Sequence, residues 1–147
     1  MKLSTRGHYG MHAMMDLGFH YGQSVVLLRE LCEIHGFSEK YLEQLLRLLR
    51  QAGLVESVRG AKGGYWLTRS PSQITTLQIV EALEGELSQL PGGCQSDCVK
   101  AERCAMLEVW SSSIELMRHR LSQTTLAELI ATQQEMNQKG EALDYNI

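Results

Sequence analysis

Residues 38–69, SEKYLEQLLRLLRQAGLVESVRGAKGGYWLTR, decide the fold. Ser38 is a helix-capping residue, and Gly53 is a stop. Between them Tyr41, Leu42, Leu45, Leu46, Leu48 and Leu49 give one apolar face, while Lys40, Gln44, Arg47 and Arg50 stay polar. The period then changes. LVESV (54–58) and YWL (65–67) read as two short strands, joined through RGAKGG. The glycines there permit a sharp backbone and close approach to a duplex, and Arg59 and Lys62 offer charge to phosphates or a narrow minor groove. Alone, such a loop is more often a solvated hairpin. Directly after a helix-turn-helix, it reads as a wing.

Upstream, residues 28–35 form a second helix, closed by Gly36 in a left-handed cap. Two helices joined by a tight glycine turn make a helix-turn-helix, whose second helix aims its N-terminal residues at base edges. Val25 and Val26 are expected to form a short edge strand. A first helix is expected over 5–21, with Ser4 or Thr5 as cap and Gly22 as stop. Tyr9, Ala13 and Leu17 form one stripe on it; His8, His12, Met15 and Phe19 form another. A helix wet on one side does not need both, so the second stripe meets another subunit or the cysteine segment.

Downstream, Thr75 and Gln78 make a capping box for a helix ending about Gly85, and LSQLPGG is a linker. From Met106, the positions Val109/Trp110, Ser113/Ile114, Met117 and Leu121 define a long helix able to pair with its own copy. Thr125 with Glu128 opens a short helix, LAELIA, and the polar run from Thr132 is expected to fray. The units are then a winged helix-turn-helix over 1–85 and a cysteine segment over 86–105. A dimerisation helix with a short helix follows over 106–131, and a flexible tail over 132–147. The fold class is mainly α with a small β-wing.

At 147 residues the chain can bury a real core. Its net charge of −3 hides an asymmetry: residues 1–70 sum to +3 and residues 71–147 to −6. A mildly basic front half fits local phosphate contact. No window approaches the ~18 apolar residues of a membrane span, and the N-terminus lacks a signal peptide's apolar run. A cytoplasmic protein is expected, where clustered thiols more often bind metal than form structural disulfides. No nucleophile or acid/base signature points to an enzyme.

Three of the four cysteines fall in CQSDCVKAERC (94–104). Such spacing suits a metal or iron–sulfur site, a redox switch or a disulfide. Cys32, between Leu31 and a helical Glu33–Ile34 pair, reads as a buried structural thiol.

STRGHYGMHAMMDL (4–17), the 38–69 stretch, ITTLQIVEALEG (74–85), the cysteine triplet and TTLAELI (124–130) together resemble the Rrf-two family of bacterial winged-helix regulators, of the IscR, NsrR and RirA type. The resemblance covers roughly residues 1–131 in unbroken order. It implies a homodimer, clasped by the long helix, whose two heads read a palindromic operator in double-stranded DNA, most simply as a repressor. Position by position, it implies DNA contact by Ser38, Lys40, Tyr41, Glu43, Gln44, Arg59 and Lys62, with the heads about one helical turn, ~34 Å, apart. It also implies that Cys94, Cys98 and Cys104 hold an iron–sulfur cluster, with 2Fe–2S favoured over 4Fe–4S. The first cysteine gap is shorter than usual there, and Leu107 stands where some relatives have a histidine ligand. The resemblance therefore points to His8 or His12 of the partner's first helix as the fourth ligand. These are four residues apart, on one helical face. His20, His35 and His119 read as ordinary hydrogen-bonded or surface histidines. The competing readings are a zinc site and a cluster-free thiol switch in the same fold.

Overall fold

The computed structural model describes residues 3–60, 63–87 and 104–144, with side chains described to residue 139. Six helices and one hairpin follow in order: α1 (Thr5–Phe19), α2 (Leu28–His35), α3 (Glu39–Gln51), β1 (Val55–Val58), β2 (Gly64–Leu67), α4 (Thr76–Glu84), α5 (Ala105–Gln123) and α6 (Leu126–Asp144), with a 3-10 turn at Pro71–Gln73.

The starts follow the expected chemistry. The amide of Gly7 donates to Ser4 Oγ at 3.2 Å, and that of Tyr41 to Ser38 Oγ at 3.3 Å, so each serine satisfies an orphan helix donor. At Thr75 the box is reciprocal: Gln78 N donates to Thr75 Oγ1 at 3.3 Å, and Thr75 N to Gln78 Oε1 at 3.0 Å. Thr125 and Glu128 repeat it at α6, through contacts of 2.7 and 3.2 Å. Gly36 ends α2 at φ 68° and ψ 27°, a conformation that carries no steric penalty only for glycine. That sets the tight turn into α3.

β1 and β2 pair antiparallel, with Val55 opposite Leu67 and Ser57 opposite Tyr65. The edge strand expected at Val25–Val26 contracts to one bridge, in which Val26 and Tyr65 exchange backbone bonds of 2.9 and 2.8 Å. Gly60 turns the wing at φ 121°, which a side chain would oppose.

Leu42, Leu45, Leu46 and Leu49 of α3 are buried against Ala13, Met14 and Leu17 of α1, Leu31 of α2, Val55 and Leu67 of the hairpin, and Ile79 and Leu83 of α4. One core thus fixes the recognition helix to everything around it. Cys32 joins it, and burial, followed by Glu39 and Glu33, pushes its thiol pKa up. It is the inert core thiol expected.

The two Thr boxes lie side by side. Thr76 N donates to Thr124 O and Leu126 N to Ile74 O, both at 2.8 Å, and Thr76 Oγ1 donates to Leu121 O at 2.6 Å. This staple ties the head to the α5–α6 corner. α5 itself buries only Ile114 among its described residues, and leaves Met106, Val109 and Leu116 exposed.

Two sequence expectations need correction. α1 ends at Phe19 rather than residue 21, its C-cap amide at His20 bonding back to Asp16 O. The short helix at 126–131 is instead 19 residues long, running on to Asp144 through the expected polar tail. TQQEMNQKGEALD lacks an apolar stripe, but Gln, Glu, Met, Lys, Ala and Leu are strong helix formers, and the run contains no proline.

Candidate nucleic-acid interface and sensor residues

The outer face of α3 carries the residues that the sequence assigns to DNA. Ser38 caps it, and Lys40, Glu43 and Gln44 stand exposed on its first turns, with Tyr41 half-buried. Arg59 is exposed just beyond β1, beside the Gly60 turn; Lys62 lies outside the described residues. The hairpin, whose β1 packs against α3, therefore carries an exposed cation at its turn.

Sequence reading missed part of this surface. Lys40, Glu43, Gln44, Arg47, Arg50 and Tyr65 line an open notch of about 380 Å³ between α3 and the wing. A second hollow of about 450 Å³ lies beyond Arg47 and Arg50, against Glu56 and Ser57. Lys40, Arg47, Arg50 and Arg59 make no ion pair among the described residues, whereas Arg6 and Arg118 are held by Glu84 and Glu81. Cations left without a protein partner beside a groove-sized helix suit phosphates. The spacing of Arg47 and Arg50 was visible as polar helix positions; Tyr65, brought in by the hairpin register, had no signal of its own. Burial raises the Tyr65 phenol pKa, Glu43 adds to the rise and Arg50 opposes it.

The candidate sensor residues fall only partly within the described residues. Cys94 and Cys98 lie outside the described residues. Cys104 is partly exposed at the N-cap of α5, where its carbonyl accepts from Leu107 N at 3.0 Å. On α1, His8 and His12 point the same way, with their Nε2 atoms 3.1 Å apart, His8 exposed and His12 half-buried. Burial lowers the His12 pKa, His8 and His35 lower it further, and Asp16 opposes. The neutral imidazole this favours is the form that ligates metals. Three thiolates and an imidazole are a donor set that suits iron–sulfur ligation or zinc. Among the described residues, no three His, Cys, Asp or Glu side chains converge to hold a metal. His35, read from sequence as ordinary, is bonded to Asp16 Oδ2 and lies next to His12.

A helix-turn-helix with an adjoining wing, its outer face carrying cations without an ion-pair partner among the described residues, marks a winged-helix transcription regulator. The chain belongs to the Rrf2 family: the model described as "Iron-dependent Transcriptional regulator" matches residues 3–132. It is 38% identical over 129 residues to the HTH-type transcriptional regulator CymR of Bacillus subtilis, covering 88% of this chain and 89% of that one. The solved structure of CymR, the global cysteine regulator of B. subtilis, superposes with a TM-score of 0.75 at 38% identity, over 90% of this chain and 98% of that one. T. potens IscR superposes at 0.71 with 39% identity, over 92% and 90%. The relatives are regulators and not enzymes. No described helix is long and apolar enough to cross a membrane.

Proposed function

We propose that this chain is one half of a homodimeric cytoplasmic repressor, whose affinity for a palindromic operator is set by an iron–sulfur cluster. Ser38, Lys40, Tyr41, Glu43, Gln44, Arg59 and Lys62 are assigned to the DNA, and Cys94, Cys98 and Cys104 with His8 or His12 of the partner protomer to the cluster. The observation that carries the sensor assignment is the His8–His12 pair. Its two ring nitrogens are 3.1 Å apart on the face of α1 turned away from the core, and the His12 imidazole is kept toward its neutral form. When bound, the cluster supplies a ligation state that oxidation, nitric oxide or iron loss removes. Cys104 anchors one end of the ligand set to α5, and the α1 histidines place the other beside the reading head.

The dimer assignment rests on α5. Its Met106, Val109 and Leu116 are exposed, and its Met117 and Leu121 line a groove of about 600 Å³ with Leu3, Met11, Val80 and Leu129 among others. A helix that leaves this many large apolar side chains uncovered suits a protein–protein contact, and a second copy presents the same helix back.

A cluster-free thiol regulator, or a zinc-bound one, is the second reading, favoured by the likeness to CymR, the global cysteine regulator of B. subtilis. Anaerobic purification with visible spectroscopy and iron, sulfide and zinc assays separates the readings. A brown or red protein containing iron and sulfide is expected. A colourless protein, whether zinc-bound or metal-free, overturns the cluster assignment.

A further inference from the structure

An unbroken row of rings runs from the α1 histidines to the start of the recognition helix. His12 and His35 lie 5.2 Å apart, centroid to centroid. His35, fixed by Asp16 Oδ2, stacks on Phe37 at 5.1 Å with an interplanar angle of 15°. Phe37 also stacks on Tyr9 at 4.2 Å, and Tyr9 meets Tyr41 edge-on at 6.1 Å. All but the closer Phe37–Tyr9 stack fall in the range of separations that ring pairs favour. None of the five residues is fully buried; Tyr9, Phe37 and Tyr41 pack on the outside of the leucine core that holds α3.

Phe37 is the residue immediately before the Ser38 cap. Its amide donates to Cys32 O at 3.2 Å, and one residue on, Ser38 Oγ accepts from Tyr41 N at 3.3 Å. A displaced Phe37 therefore acts on the first turn of α3, where Ser38, Lys40 and Tyr41 stand.

We propose that His35 and Phe37 are positioning residues that convert a change at the His8–His12 pair into a shift of the recognition-helix N-terminus. This rests on the reading that α3 contacts DNA and the α1 histidines serve the sensor. His12 Nε2 is engaged with His8. A ligand taken there by its lone pair must end that contact and turn the ring. His35 cannot follow without releasing Asp16, so the change falls on its stack with Phe37. A packed ring row has discrete arrangements, which is what lets a local event at one end reset the other.

The test is a double-mutant cycle on the full chain without metal, in wild type, His12→Ala, Phe37→Leu and the double variant. The protein carries 3-fluorotyrosine, with the Tyr41 fluorine signal assigned through Tyr41→Phe. His12→Ala is expected to move that signal, and the movement to vanish in the Phe37→Leu background. On a duplex selected from a randomised pool, His12→Ala is expected to change Kd about fivefold, shrinking to within about 1.5-fold once Phe37 is replaced. His35→Gln, which keeps a hydrogen-bonding partner for Asp16 but no ring, is expected to act like Phe37→Leu, and replaces it if that variant does not fold. Equal His12→Ala effects with and without the Phe37 ring overturn the path. Failure of wild type to select any duplex overturns the DNA reading instead, and the fluorine signal still decides the path.

Discussion

Arg47→Ala tests the reading face most directly. Arg47 is exposed on α3, borders both hollows and has no ion-pair partner among the described residues. Alanine is the better helix former, so folding should be unharmed. If Arg47 neutralises one phosphate, its loss lowers the slope of log K against log salt by about 0.9. In a two-headed dimer the change counts twice, about 1.8. Between 50 and 200 mM salt that amounts to about 1.1 log units, so the wild-type advantage should shrink roughly twelvefold across this range. Fluorescence anisotropy of a labelled operator, titrated at four salt concentrations, reads the slope. A random duplex should lose affinity in parallel, because phosphates carry no sequence. Parallel log–log lines for wild type and variant would refute the phosphate assignment; a loss confined to one base pair would make Arg47 a base reader.

The remaining expectations concern neighbouring parts of the frame. Leu46→Ala, at a side chain with no exposed area, should cost about 3–4 kcal/mol in urea unfolding; a loss below about 1 kcal/mol would mean the site collapses freely. Thr75→Ala removes the cap that Gln78 N uses and should cost about 1 kcal/mol by the same assay, an unchanged midpoint counting against the box. Glu128 accepts from the backbone and side chain of Thr125, which lowers its carboxyl pKa. Its folded value lies below its unfolded one, so its stabilisation is present above roughly pH 4.3 and lost as pH falls through the lowered value. Glu128→Gln should flatten the acid limb of stability, and an acid limb identical to wild type would dismiss the linkage.

The head was legible because its signals are local. The leucine spacing of α3, the Gly36 turn, the Thr75 and Thr125 boxes and the Gly60 bend each depend on residues a few positions apart. What escaped is tertiary or unpatterned. His35 and Asp16 are 19 positions apart, and only the packing of α2 on α1 joins them. Tyr65 reaches Glu43 and Arg50 through the hairpin register. α6 outran its expected length because propensity alone, without an apolar stripe, carries its second half. At the candidate sensor, Cys104 is partly exposed, His8 exposed and His12 half-buried, while Cys94 and Cys98 lie outside the described residues.

The points where the chain leaves and re-enters the frame around the cysteines are secured separately. Leu87 is buried, its amide 3.4 Å from Glu81 Oε1 and its carbonyl 3.2 Å from Arg118, which also grips Glu81. Cys104 is set by the first turn of α5, and the Thr76–Leu121 and Ile74–Leu126 bonds hold the head to the far end of that helix. The bonds named here all join described residues on either side of the sixteen-residue stretch 88–103. Exchanging that stretch for one of another length or thiol spacing leaves every one of these anchoring residues in the chain, so ligand chemistry can diverge over generations without touching the side chains that bracket it.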